Sequence, residues 1–315
     1  MSLSRIHGIV PIIPTPFQSD ETIDYAAFAP LVDFAVAGHC SALCLPAYAS
    51  EFYKLSDEER LEVVRHAVTA AKGRIAVIGQ ANHSSARLAA RSARAVEAAG
   101  ADAIAVAVPR LFSLPESDLL RYFDTILSAI QIPLLIQDYN PGGPTLSPQF
   151  VAGLHRIHPH FRYIKLEEPL MAAKVKAILD STGGGVGVLE GWGGMYMLEL
   201  IDAGICGVMP GLAVSDLLAQ VYQLAAAGMK QDAYEIFAGV LPQILFSLQN
   251  MELYHHAEKR LLAMRGILRE ATVRDVTMTP DEIDRAHVDF LNQRVLALLD
   301  RLHLPHNPAL PVKAL

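Results

Sequence analysis

The chain has 315 residues, 52% of them hydrophobic and 19% charged, with mean hydropathy +0.28, which suits a large, well-buried globular core. Its net charge of −7 comes without a basic run, which speaks against a nucleic-acid partner, and no apolar stretch approaches the roughly 18 residues of a membrane span. Cys40, Cys44 and Cys206 lie scattered among apolar neighbours and read as reduced core thiols. Reduced thiols make the cytoplasm the expected compartment, and Met1-Ser2-Leu3-Ser4 lacks the basic-then-apolar pattern of a secretory leader.

In chain order, Gly8 to Ile13 is an apolar run of strand length, and Asp24 to Gly38 follows with helical spacing. Ser41 to Pro46 is the second strand; the capping box Ser56-Asp57-Glu58-Glu59 opens a helix that Gly73 closes. Arg74 to Gln80, a helix from Ser84 to Ala99, Asp102 to Pro109 and a helix from Pro115 to Ile130 continue the alternation. Pro133 to Asp138 is the fifth strand, after which Ser147-Pro148 supplies an N-cap with proline at the first helical position. The sixth strand, Phe161 to Glu167, ends in charge and is stopped before Pro169. A helix from Leu170 to Leu179, a strand from Gly187 to Glu190, a helix from Met195 to Ala203, a strand from Ile205 to Pro210 and a helix from Ser215 to Ala227 complete the pattern.

These strands are near-continuous apolar runs, the mark of a parallel sheet covered by helices. Eight such units, with no Gly-x-Gly-x-x-Gly at any helix start, predict an α/β fold of the (β/α)₈ TIM-barrel type over residues 1–228. Beyond Gly228 only helices are predicted (Gln231 to Ser247, Met251 to Arg269, Pro280 to Leu302), so residues 229–315 form a C-terminal helical appendage with a loose tail from Pro305.

Chemistry in such a barrel gathers at the carboxyl ends of the strands. Lys165 sits near that end of the sixth strand; it reads either as an inward amine able to form a Schiff base with a ketone or as an outward lysine snorkelling over a helix. Tyr139, on the neighbouring strand end, reads as a proton carrier or as an amphipathic rim tyrosine. The amides around Ala49-Ser50, with the Ser50 hydroxyl, either hold a carboxylate or form an ordinary turn. The glycines after the seventh and eighth strands lie where barrels often bind phosphate or sugar hydroxyls, a weak signal. His155, His158 and His160 lie near a helix end and read as a solvated patch, and His7-Gly8-Ile9 lacks the His-x-His of metal-dependent hydrolase barrels.

Thr15-Pro16-Phe17, Ser50-Glu51, Tyr139-Asn140, Ile164-Lys165 and Gly191 fall in an order and spacing that resembles the dihydrodipicolinate synthase and N-acetylneuraminate lyase family of Schiff-base lyases, over nearly the whole chain. The resemblance implies an imine between Lys165 and a small-molecule 2-oxo acid, proton relay by Tyr139, and a carboxylate held by Tyr48-Ala49-Ser50. It also implies no metal, no cofactor beyond the imine, and a homotetramer. Ala47-Tyr48-Ala49-Ser50-Glu51 departs from the family's Gly-[Ser/Thr]-Thr-Gly-Glu turn, Arg110-Leu111 replaces a tyrosine pair, and Pro144 stands near the place of an arginine that grips a second carboxylate. These departures resemble the branch of 2-keto-3-deoxy sugar-acid dehydratases, 2-keto-3-deoxy-L-arabonate dehydratase in particular.

Glu167 lies two residues from Lys165, so a strand's period of two puts both on one face. It would protonate or hold a leaving hydroxyl, or serve as a fixed counter-ion to Lys165 or Arg110. The candidate catalytic residues are thus Lys165, Tyr139 and Glu167, and the candidate substrate contacts Tyr48, Ala49, Ser50, Arg110, Gly191 and Met209. Aldol cleavage releasing pyruvate and a non-catalytic 2-oxo-acid-binding barrel stand as the alternative functions.

Overall fold

The computed structural model describes residues 6–140, 143–274 and 278–310; the leader reading at Met1 to Ser4, the Pro141-Gly142 turn and the last five tail residues lie outside them. Eight parallel strands form one sheet: β1 (Gly8–Ile9), β2 (Ala42–Leu45), β3 (Ala76–Gln80), β4 (Ala103–Ala107), β5 (Leu134–Tyr139), β6 (Phe161–Glu167), β7 (Gly187–Glu190) and β8 (Gly207–Val208). Helices α1 (Phe28–Ala37), α2 (Asp57–Ala71), α3 (Ala86–Ala98), α4 (Glu116–Leu127), α5 (Pro148–Ile157), α6 (Ala172–Thr182), α7 (Met197–Ala203) and α8 (Ser215–Ala226) alternate with them. The strand order β1-β8-β7-β6-β5-β4-β3-β2 leaves only β1 and β2 to be joined. A bridge at Ile12 and Cys44 joins them, with Cys44 N donating to Pro11 O and Ile13 N to Cys44 O, both at 3.0 Å. The predicted TIM barrel is the observed one.

β1 is shorter than the Gly8 to Ile13 run predicts. Pro11 lacks the N–H that a regular ladder to β2 needs, so pairing there continues as single bonds. The helix expected from Asp24 starts as a 3₁₀ turn, Tyr25–Ala27, capped by the Asp24 side chain, before α1. Two further 3₁₀ turns, Tyr48–Ser50 and Phe52–Lys54, meet at Glu51, whose φ is +60°. Local signals did not reveal them. Both predicted caps are present: Ser56 and Glu59 bond reciprocally, and Ser147 Oγ accepts from Phe150 N.

Period two divides the sheet's side chains. Ile164 and Leu166 pack outward among the helices, whereas Tyr163 belongs to the cluster inside the barrel with Leu135, Leu189 and Met209. Lys165 therefore points inward.

The appendage is α9 (Lys230–Ser247), α10 (Met251–Met264) and α11 (Glu282–Arg301). α10 stops short of the predicted Arg269 because Gly266 turns left-handed, at φ +72°. The tail is not loose where described: Arg265 Nε donates to His306 O at 2.6 Å. Cys40, Cys44 and Cys206 are free thiols, and among the described residues no helix is long and apolar enough to cross a membrane.

Candidate active site

A cavity of about 450 Å³ opens at the carboxyl ends of the strands. Lys165 lies in it, 6% exposed, with its Nζ 3.1 Å from Glu167 Oε1. The β5–β6 register sets the facing residues: Gln137 stands opposite Lys165, and Tyr139 opposite Glu167. Gln137 Nε2 donates to Glu167 Oε1 at 2.7 Å, and Gln80 Nε2 donates to Gln137 Oε1 at 2.9 Å. A chain of amides from β3 and β5 thus fixes the carboxylate beside the lysine. Glutamine carries no chemical signature of its own, so the sequence reading missed both; Gln137's only signal was its place two residues before Tyr139, on the same face.

Tyr139 lines the cavity one strand step further out than Lys165, at the half-open rim. Burial, then Glu167, raises its phenol pKa. Tyr48 and Ala49 line the opposite wall, and the Tyr48 phenol is raised by burial, Glu167 and Tyr139 in that order. Gly191 and Met209 complete the expected lining. A Cβ on Gly191 would stand 2.5 Å from Glu167 Cγ and 2.7 Å from Lys165 Cε, so only glycine leaves these two side chains their space.

Two expected contacts are not there. The Ser50 hydroxyl is spent: it donates to Ile13 O at 2.6 Å and accepts from Ala47 N at 3.0 Å, which shapes the turn that presents Tyr48 and Ala49. Arg110 is not part of the cavity lining, and its guanidinium donates to Asp138 Oδ1 at 2.6 Å. Asp138 lies between Gln137 and Tyr139, so period two turns it to the outer side of β5 and draws Arg110 with it. Glu167 pairs with Lys165, not with Arg110.

Glu190, at the end of β7, is fully buried and accepts from Trp192 N at 3.1 Å and Gly194 N at 2.8 Å. Burial outweighs those amides and the Lys165 charge and pushes its carboxyl up to about 7. The appendage supplies the outer wall through Leu248, Met251 and Tyr254, a long-range contact with no local sequence signal.

His155, His158 and His160 bond separately to Phe161 O, Asp124 and Leu127 O, and among the described residues no cluster of three or more acid, His or Cys side chains could hold a metal.

A family model described as the dihydrodipicolinate synthetase family matches residues 5–294. An L-2-keto-3-deoxyarabonate dehydratase from Azospirillum brasilense is 28% identical over 278 residues, 86% of this chain and 87% of that protein. A 4-hydroxy-tetrahydrodipicolinate synthase from Salinibacter ruber is 31% identical over 71% of this chain and 74% of its own. The crystal structure of a dihydrodipicolinate synthase from Rhodopseudomonas palustris superposes with a TM-score of 0.86, at 24% identity, over 93% of this chain and 99% of the other, which shows the shared fold.

Proposed function

We infer the function from one premise: the chain belongs to the dihydrodipicolinate synthetase family of enzymes. We propose that it is a Schiff-base lyase that dehydrates a 2-keto-3-deoxy sugar acid, with Lys165 as the imine-forming amine. The observation that carries this reading is the Lys165–Glu167 pair, held at 3.1 Å within the cavity with open space on its substrate side.

In the proposed course the substrate carboxylate is received at Tyr48 and Ala49, whose N–H groups open a 3₁₀ turn and have no partner within it. Glu167 takes a proton from the Lys165 ammonium, the free amine adds to the C2 ketone, and the returned proton leaves with the carbinolamine oxygen as water. The iminium acidifies C3, because it accepts the electron pair left behind. Glu167 then takes the C3 proton and delivers it to the departing C4 hydroxyl, so one water is lost overall. Tyr139, across the ladder from Glu167, is placed to carry protons toward the rim. From a pentonate, the C3=C4 unsaturated iminium so formed loses a C5 proton and is reprotonated at C3. The resulting C5 enol tautomerises to the aldehyde, and hydrolysis frees the amine and a 2,5-dioxo acid semialdehyde.

Aldol cleavage of the same imine would instead release pyruvate and an aldehyde. The cavity favours dehydration in one respect: the carboxylate stands beside the imine lysine, and Arg110 is not available to bind a second carboxylate as in a dipicolinate-type condensation. Product analysis with 2-keto-3-deoxy-pentonates and hexonates decides. Pyruvate plus an aldehyde refutes dehydration. Glu167→Gln should slow dehydration by roughly two to four orders of magnitude while still allowing borohydride trapping of pyruvate at Lys165. The exposed side chains of Leu111, Phe112, Leu114 and Leu170 support the homotetramer reading, which a mass measurement in solution tests.

A further inference from the structure

Barrels of this kind commonly bind phosphate on the loops after the seventh and eighth strands, where backbone amides converge near a helix start. In this chain both loops already hold a carboxylate of the chain itself. Glu190 accepts from the amides of Trp192 and Gly194 after β7. Glu258 reaches across from α10 in the appendage and accepts from Ala213 N at 2.8 Å, after β8 and just ahead of α8. Glu190 is 0% and Glu258 3% exposed, so neither can swing aside into water.

The side chains lining the cavity offer a second, independent argument. Among them Lys165 is the single cation, and Glu167 already faces it. Arg110, the nearest expected substitute, is held by Asp138. The wall supplied by the appendage, from Leu248, Met251 and Tyr254, carries no charged side chain.

We propose that the site takes 2-oxo acids whose far end is uncharged and rejects phosphorylated ones, because Glu190 and Glu258 fill the two amide cradles in which a phosphate would sit. The proposal rests on the reading of Lys165 as the anchor of a 2-oxo acid, and it narrows that substrate class: hydroxyls at the far end fit, whereas a dianion finds both amide cradles filled and no cation in the lining but Lys165, which Glu167 already faces.

The chain's single tryptophan, Trp192, lines the cavity and reports binding by its fluorescence. Titration of the intact protein with 2-keto-3-deoxygluconate and with its 6-phosphate should show the phosphate ester binding at least about tenfold more weakly, the scale of one hydrogen bond to a charged group left unmade. Equal or tighter binding of the ester overturns the proposal. Glu258→Ala should narrow the difference severalfold by uncovering the Ala213 amide; a folded variant with an unchanged ratio removes Glu258 from the account. Should that variant not fold, Glu258→Gln keeps an acceptor on the Ala213 amide and so must retain the preference against the phosphate ester; its loss there overturns the filled-cradle account. Pyruvate trapping at Lys165 is a separate readout: its failure beside a retained preference sinks the lyase reading and leaves this one standing.

Discussion

Lys165 and Lys259 are the two buried lysines among the described residues, and of these only Lys165 lines the cavity at the strand ends. Lys165 has Glu167 on one side and open space on the other. Lys259, on α10, is 1% exposed and closed in on all sides: Glu51 pairs with it, Thr272 O accepts from it at 2.8 Å, and the Phe17 ring lies 4.3 Å from its Nζ. Around it Glu51 also takes Lys54 at 3.1 Å and Arg274 N at 3.2 Å, while Lys54 pairs with Glu252 at 2.6 Å. Burial beside a glutamate is common to both lysines, so it does not single out a nucleophile. Room for a reactant does.

The largest effect that separates them is on turnover. Lys165→Ala should lower kcat on the order of 10⁴-fold or more with the melting temperature little changed, and peptide mapping after pyruvate and borohydride should place the adduct on Lys165. An adduct on Lys259 breaks the comparison outright. Lys259→Met should do the reverse: imine trapping persists, but denaturant unfolding shows a loss of about 3 kcal/mol, because Glu51 stays buried with less compensation. Tyr139→Phe sharpens the catalytic side, with kcat falling roughly a hundredfold and substrate affinity changing less; an unchanged rate returns Tyr139 to the rim and turns attention to Tyr48.

The smallest effect is one of pH, and it contrasts Glu51, ringed by cations, with Glu258, held mainly by amides. Burial raises the Glu258 carboxyl from the usual 4.5 to about 7. A folded-state pKa above the unfolded one means that the native form holds its proton more tightly, so this contribution is fully present below 4.5 and is lost as pH rises to 7. Glu258→Gln should flatten the fall in melting temperature over that window; an identical slope in the variant removes Glu258 as its source.

The barrel was readable because its strands are continuous apolar runs and its helices carry their own start signals, as at Ser56 and Ser147. Lys165 and Glu167 were readable because two residues of spacing on a strand decide a shared face. What stayed hidden depends on partners distant in sequence. The fate of Arg110 is set by Asp138 and that of the Ser50 hydroxyl by Ile13 O, 37 positions away. Gln137 becomes visible only through the register of β5 against β6, and the appendage's share of the cavity wall only through tertiary packing.

The clamp between Glu51 and α10 carries a consequence for how such a chain can be inherited. The turn that presents Tyr48 and Ala49 to the cavity ends at Glu51, and Glu51 is gripped by a lysine more than two hundred positions later. A gene fragment stopping near Gly228 would encode eight strands and eight helices, yet it would lack one cavity wall and the counter-ion that keeps the turn bearing Tyr48 and Ala49 in shape. The two segments therefore cannot be shuffled as independent cassettes; recombination with a relative is tolerated where it keeps each parent's turn together with that parent's tenth helix.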